Sequence, residues 1–149
     1  MINRAVDLAA IDAVITEMYA MISGPAGPRD WSRQALCFHP DARQIRTTIG
    51  DDGRTELTIM SCEDYAANTA PFFAAHDFHE IEIGRRVELF GSIAQAWSAY
   101  EARDTLDPGA APERRGINAI QLTRDPERGW RIIAMIWDNE REGLSIGAF

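Results

Sequence analysis

The first 22 residues carry apolar side chains at helical spacing. They recur three or four positions apart, at Leu8, Ile11, Ile15, Met18 and Ile22. This spacing places them on one face of a predicted first helix. Gly24-Pro25 predicts its end.

Short elements are predicted over the next fifty residues. Asp30 can cap a second helix over residues 31–37, and Pro40-Asp41 turns the chain into a first strand near residues 43–49. A turn at residues 51–53 leads to a second strand over residues 55–60. Ser61 with Asp64 is a capping-box pattern that predicts a third helix to about residue 75, kinked or divided by Pro71.

From Phe78 onward the pattern changes to alternation, which predicts strands. One strand carries apolar pairs at residues 81, 83, 87 and 89, which share a face only without a bulge, and Gly84 makes a bend plausible. Gly91-Ser92 predicts a two-residue turn into a strand over residues 93–103. After a loop, residues 115–122 and 130–137 predict a closing hairpin with a mid-length connection.

Helices first and strands afterwards indicate one α+β domain over residues 1–149. We expect an antiparallel sheet covered by helices on one face. The sheet's other face is then open, and Trp97 and Tyr100 point to opposite sides of one strand, so one large aromatic side chain should lie there. A homodimer through that face is therefore predicted.

Composition narrows the functional classes. The chain is 46% hydrophobic and 26% charged with a net charge of −8, and all fifteen basic residues are Arg. Such acidity disfavours a nucleic-acid or anionic-membrane partner, and the absence of Lys excludes Schiff-base chemistry on a side-chain amine. The N-terminal segment lacks a signal-peptide pattern, which predicts a cytoplasmic protein. Cys37 and Cys62 are interpreted as small buried hydrophobic residues.

The histidines do not predict a metal site. His76 and His79 point to opposite faces of an extended segment, and no third ligand stands at a recognisable spacing. We therefore expect neither a metal nor another cofactor. His79 has an ordinary pKa near neutrality, so it is a candidate general acid or base at a cavity rim, with a structural hydrogen bond as the alternative.

Four segments resemble one superfamily across nearly the whole chain. They are Phe38-His39-Pro40-Asp41-Ala42, Tyr100-Glu101-Ala102-Arg103, Arg115-Gly116-Ile117-Asn118 and Gly129-Trp130-Arg131-Ile132, the last running to Trp137. They are similar to a bacterial branch of the nuclear transport factor 2-like (NTF2-like) superfamily, which includes SnoaL-like cyclases and ketosteroid isomerases. The resemblance implies a cone-like half-barrel of the cystatin-like type, an apolar pocket and commonly a homodimer.

The resemblance also implies candidate site residues. Tyr19 stands where the isomerases place an oxyanion donor, and Asn118 stands where they place a protonated Asp. The place of their catalytic base falls on or near Arg46, which cannot accept a proton. Arg46 is instead a candidate anion-binding residue, with a surface or ion-paired role as the alternative.

Two functions remain open from the sequence. The first is cofactor-free proton transfer on a small ring-bearing or acyl molecule, with Tyr19, His79 and Asn118 as catalytic candidates. The second is a non-catalytic ligand-binding or dimerisation module. The ligand-binding candidates are Tyr19, Trp31, Arg46, Tyr65, Asn118 and Trp137.

Overall fold

A computed structural model describes residues 3–148, which form four short or medium helices and one six-stranded sheet. The helices are α1 (Arg4–Ile22), a 3-10 turn (Trp31–Arg33), α2 (Gln34–Cys37) and α3 (Cys62–Ala75). The strands are β1 (Phe38–Ile49), β2 (Thr55–Met60), β3 (His79–Phe90), β4 (Ile93–Arg103), β5 (Arg114–Asp125) and β6 (Gly129–Asn139). None of the helices in this part of the chain has both the length and the apolar character of a membrane span.

The two longest helices, α1 and α3, form where the sequence predicts them. The Asn3 side chain caps α1 by accepting a hydrogen bond from the Val6 amide, and Ile11 and Ile15 on its apolar face are fully buried. The capping box at Ser61 and Asp64 is present in both directions. The sequence left two outcomes open for Pro71, a kink in α3 or its division; division is wrong, since the helix continues to Ala75.

The predicted second helix is two elements. Asp30 accepts from the Ser32 amide and caps a 3-10 turn, and an α-helical turn then runs to Cys37. Both cysteines are free, and Cys37 is buried while Cys62 is half-buried. Burial raises the pKa of the Cys37 thiol to about 12, so it stays protonated at neutral pH.

The sheet is mixed rather than purely antiparallel, which corrects the sequence-based expectation. Its strand order is β2-β1-β6-β5-β4-β3, and β1 runs parallel to β6 while every other neighbouring pair is antiparallel. β1 also begins at Phe38 rather than near residue 43. The register shifts between Phe38 and Arg43, where Pro40 cannot donate to a regular ladder.

A register shift in β3 decides which of its side chains face inward. The shift lies between Glu82 and Gly84, at the predicted bend. Beyond it, Val87 and Leu89 pack against the core. Before it, Ile81 and Ile83 are each 38% exposed, so the alternating residues Glu80 and Glu82 take the inner side of the strand.

Candidate functional site

The inner face of the sheet and two helices enclose a cavity of about 490 Å³. That volume is typical of small-molecule sites. Its lining is mainly apolar and aromatic, and its charged members are Arg46, Glu80 and Arg114. Neutral polar groups join them: Gln44, Thr47, Thr48, Asn68, Thr69, Asn118 and Asn139.

An aromatic cluster builds one wall of the cavity. Tyr65 of α3 lies edge-on to Trp137 of β6, with ring centroids 6.2 Å apart. Trp31 packs behind this wall, 6.0 Å from Tyr65 and 6.1 Å from Phe73. The structure thus places Tyr65 and Trp137 on the lining and Trp31 one layer outside it.

Glu80 is the titratable group of the cavity that the sequence-based candidates omit. The residue as a whole is half-buried, but its carboxyl lies in the cavity close to Tyr65 and Tyr100. Burial raises the pKa of Glu80 to about 7, while the Arg114 guanidinium and a hydrogen bond from Asn118 offset part of that rise. Both protonation states of Glu80 are therefore populated near neutral pH.

Hydroxyl and guanidinium groups surround the Glu80 carboxyl. Tyr100 is buried and donates to Asn139 Oδ1 at 2.6 Å across Gly116. Burial raises the pKa of Tyr65 and of Tyr100, with the negative charge of Glu80 acting in the same direction. Both hydroxyls stay protonated; the Tyr100 proton goes to Asn139, whereas the Tyr65 hydroxyl can donate to a ligand oxygen.

Arg46 lies on the lining of the cavity. Its guanidinium donates to Asn68 Oδ1 at 3.1 Å and stands 5.9 Å from the centre of the Trp137 ring. Arg46 and Arg114 bring two positive charges to the cavity against one glutamate. In a protein of net charge −8, the cavity is thus a place that favours an anion.

Tyr19 and Asn118 are directly bonded to each other. Asn118 faces inward, is 3% exposed and donates to the Tyr19 hydroxyl at 3.0 Å. That hydroxyl also lies 2.6 Å from Ser98 Oγ, whose own proton goes to the Glu82 carboxylate. Asn118 lines the cavity, whereas Tyr19 stands behind Asn118, outside the lining.

His79 does not line the cavity. It precedes Glu80 in β3, and successive residues of a strand point to opposite faces, so the structure brings Glu80 rather than His79 inside. His79 lies with Tyr19, Glu80 and Glu82 at a separate depression between α1 and β3. Across the described residues 3–148, no group of three His, Cys, Asp or Glu side chains is placed to hold a metal ion.

The raised pKa of Glu80 predicts a pH dependence of stability. The folded chain holds a proton that the unfolded chain releases at its ordinary value of 4.5, so Glu80 lowers the free energy of unfolding as pH rises through 4.5 to 7. Glu80→Gln removes this loss, and we expect its stability relative to the parent to improve by about 2 kcal/mol between pH 5 and pH 8. Urea denaturation at pH 5 and pH 8 measures the free energy of unfolding of both proteins. The same difference between variant and parent at both pH values would contradict the raised pKa of Glu80.

Comparison with known proteins identifies the fold. No protein-family model matches the chain, and no curated protein matches its sequence. An NTF2-like superfamily protein from Salmonella enterica aligns with a TM-score of 0.69 and 15% identity, over 99% of this chain and 100% of that one. A protein of unknown function with a cystatin-like fold, from Nostoc punctiforme, aligns at 0.70 and 10% identity, over 94% and 96%. An NTF2-like protein from Novosphingobium aromaticivorans aligns at 0.63 and 15% identity, over 89% and 81%.

These similarities confirm the fold that the sequence resemblance implies. At such identities a structural match carries the architecture and no particular reaction, since one fold hosts many functions. The arrangement of helices against a curved sheet is what the chain shares with these structures. The chain therefore has the NTF2-like, cystatin-like fold.

Proposed function

We propose that the protein binds a small ring-bearing or acyl molecule in the cavity and catalyses cofactor-free proton transfer on it, with Glu80 as the general acid and base. The carrying observation is the Glu80 carboxyl inside an apolar-walled cavity with a pKa of about 7. A base is most effective when its pKa lies near the working pH. The sequence alone offered no carboxylate for this role.

The chemistry follows from the groups around Glu80. The carboxylate removes a proton from the carbon next to a ligand carbonyl, and negative charge develops on the carbonyl oxygen. The Asn118 amide, the Arg114 guanidinium and the Tyr65 hydroxyl are donors suited to such an oxygen. Protonated Glu80 then returns the proton to the ligand, which completes an isomerisation or assists the loss of a leaving group.

Arg46 selects for a negatively charged group on the ligand. It stands against Trp137 at the cavity wall, and the groups that lower the pKa of Glu80 are Arg114 and Asn118 rather than Arg46. A carboxylate bound there would leave the carbonyl free to face Glu80. An amine has no matching acceptor among the charged lining residues except Glu80 itself.

Deuterium exchange tests the proposal without knowledge of the physiological ligand. Hydrophobic ketones and keto acids are first screened by thermal shift, and each binder is then incubated with the protein in D₂O. We expect deuterium to enter the carbon next to the carbonyl faster than in buffer, as read by proton NMR. Tight binding without exchange would reject catalysis and favour the non-catalytic binding module.

The outer face of the sheet favours a second proposal, which concerns assembly. Paired positions on five neighbouring strands form one apolar row, Trp97–Ala119–Ile136–Ile45–Ile59. Trp97 is 46% exposed and Ile59 is 61% exposed, and no charged side chain interrupts the row. We propose that two copies of the chain pack through this row, because an exposed uncharged stripe avoids the self-repulsion of an acidic protein.

Charge placed in this row should separate the copies. We expect Ile136→Glu to raise the dimer dissociation constant at least 100-fold, since like charges apposed at an interface cost several kcal/mol. Leu106→Glu is the control, because Leu106 is 62% exposed in the loop before β5. Sedimentation velocity should give a dimer for the parent and the control; a monomeric parent at micromolar concentration would overturn the proposal.

A further inference from the structure

A chain of buried polar side chains runs behind the cavity and ends at the Asn118 amide. Ser98 is fully buried, Asn118 is 3% exposed and Tyr19 is 5% exposed. Polar groups buried among apolar neighbours are costly unless they are hydrogen-bonded. Here they satisfy one another in a single sequence of bonds.

The donor and the acceptor of every hydrogen bond in this series follow from the group at its far end, the Glu82 carboxylate. Glu82 is a carboxylate held by Arg85, whose Nε lies 3.1 and 2.9 Å from its two oxygens. Ser98 donates its one proton to Glu82, so it can only accept from Tyr19. The Tyr19 proton is therefore committed to Ser98, and the Tyr19 oxygen must accept from a donor on Asn118.

This polarity determines which end of the Asn118 amide faces the helix. An amide has one accepting oxygen and one donating NH₂ group, and only the NH₂ group can meet the Tyr19 oxygen. The same nitrogen carries a second N–H. Asn118 also forms a hydrogen bond that stabilises the charged form of the Glu80 carboxyl.

We propose that Glu82, Ser98 and Tyr19 are positioning residues that hold the Asn118 amide with its nitrogen toward Tyr19, so that its second N–H serves Glu80 and the ligand oxygen. The proposal rests on the proposed function, because it gives a role to residues behind the same cavity. These hydrogen bonds set the orientation of the Asn118 amide and do not carry protons, because the amide does not exchange a proton with either neighbour. Tyr19 accordingly acts through Asn118 and is not itself a donor to the ligand.

The charged or titratable groups that face Glu80 are Arg114 on β5, Tyr65 on α3, Tyr100 on β4 and Tyr19 on α1, with Glu82 on the same strand. Ser98 forms hydrogen bonds with two of them, Tyr19 and Glu82, so a change at Ser98 acts on these two directly. Burial raises the pKa of Tyr19, with the Glu80 charge acting in the same direction, so Tyr19 stays a neutral donor. Ser98 can reach Glu80 through Tyr19 and Asn118, which makes it the informative position.

The test is the ionisation midpoint of Glu80, measured in the ligand-free protein by NMR of carboxyl-labelled glutamate. The Glu80 signal is assigned by its loss in Glu80→Gln. In Ser98→Ala and in Tyr19→Phe the amide is free to turn its oxygen toward Glu80. We expect the midpoint to rise by roughly half to one pH unit in each variant.

Two further variants separate positioning from mere stability. Trp130→Phe removes a buried hydrogen bond of 2.9 Å to Asp7 between two residues outside the cavity lining, and should leave the Glu80 midpoint unchanged. Ser98→Thr keeps the hydroxyl and should restore the parental value. If either Ser98→Ala or Tyr19→Phe fails to fold, the other variant still tests whether these hydrogen bonds orient the Asn118 amide.

The outcomes distinguish this inference from the proposed function. A parental midpoint near 7 that stays unchanged in Ser98→Ala and Tyr19→Phe overturns the positioning role and leaves Glu80 as the proton-transfer group. An equal rise in Trp130→Phe would also overturn it, because loss of stability would then explain the shift. A parental midpoint near 4.5 refutes the proposed function itself.

Discussion

Glu80→Gln should reduce the rate of deuterium exchange into a bound ketone by a factor of roughly 10² to 10⁴, the range that a general base contributes. Glutamine has nearly the same size and can still form hydrogen bonds in the cavity, but it cannot take up a proton. Ligand affinity should therefore stay within a few-fold of the parent. Exchange is followed by proton NMR in D₂O, and affinity is measured by calorimetric titration.

A matched control is available on the other side of the same strand. Glu88 is exposed and accepts a hydrogen bond of 2.7 Å from Gln95. Glu88→Gln changes the net charge equally and should exchange deuterium at the parental rate. If Glu80→Gln retains that rate as well, another group removes the proton and the role given to Glu80 is wrong.

Gly116→Ala should destabilise the fold and distort the cavity together. Gly116 is buried in β5 between Tyr100 and Asn139, and an added Cβ would lie within 3.0 Å of the Asp138 carbonyl, the Tyr100 hydroxyl and Asn139 Oδ1. The Asp138 contact is with backbone, which cannot move aside easily. We expect a loss of about 1–3 kcal/mol in the free energy of unfolding, as for other overpacked sites.

The same substitution at Gly109 provides the comparison. Gly109 lies in the loop before β5, where a Cβ would meet Asp107 Oδ1 at an ordinary 3.5 Å. Gly109→Ala should change the free energy of unfolding by no more than about 0.5 kcal/mol. Urea denaturation gives the free energy of unfolding of both variants. Equal values would contradict the prediction that a Cβ at Gly116 clashes with Tyr100 and its neighbours.

Much of the secondary structure could be predicted because its signals are local. The limits of β2 and β4 are those that alternation and turn residues indicate, and the capping box at Ser61 marks the start of α3. The parallel pairing of β1 with β6 could not be predicted in this way. It joins segments about ninety residues apart, and their pairing depends on the packing of the whole sheet.

The candidate site was harder to predict because its key residue depends on a bulge. In a strand without a bulge, Ile81 and Ile83 would share the inward face of Val87 and Leu89, and Glu80 would lie outside. The register shift before Gly84 reverses that assignment for the first half of the strand. The available signal was Gly84: with Val87 and Leu89 inward, one extra residue beside it, Ile83, turns Glu80 and Glu82 to the inner side of the strand.

Tyr19 shows a different limit of sequence reasoning. Its position on the buried face of α1 could be predicted, as could its proximity to Asn118, with which it forms a hydrogen bond. The direction of its hydroxyl could not, because that direction is set by Ser98 and Glu82 on two other strands. A residue's place can follow from periodicity while its chemistry follows from partners distant in sequence.

The most direct test of the central claim is the titration of the Glu80 carboxyl in the ligand-free protein. Carboxyl-labelled glutamate followed by carbon NMR from pH 3 to pH 9 gives its ionisation midpoint, with Glu80→Gln identifying the signal. We predict a midpoint near pH 7, because burial in the cavity raises the pKa of Glu80 to about that value. A midpoint near the ordinary 4.5 would contradict the claim that the cavity holds a proton-transfer group poised at neutral pH.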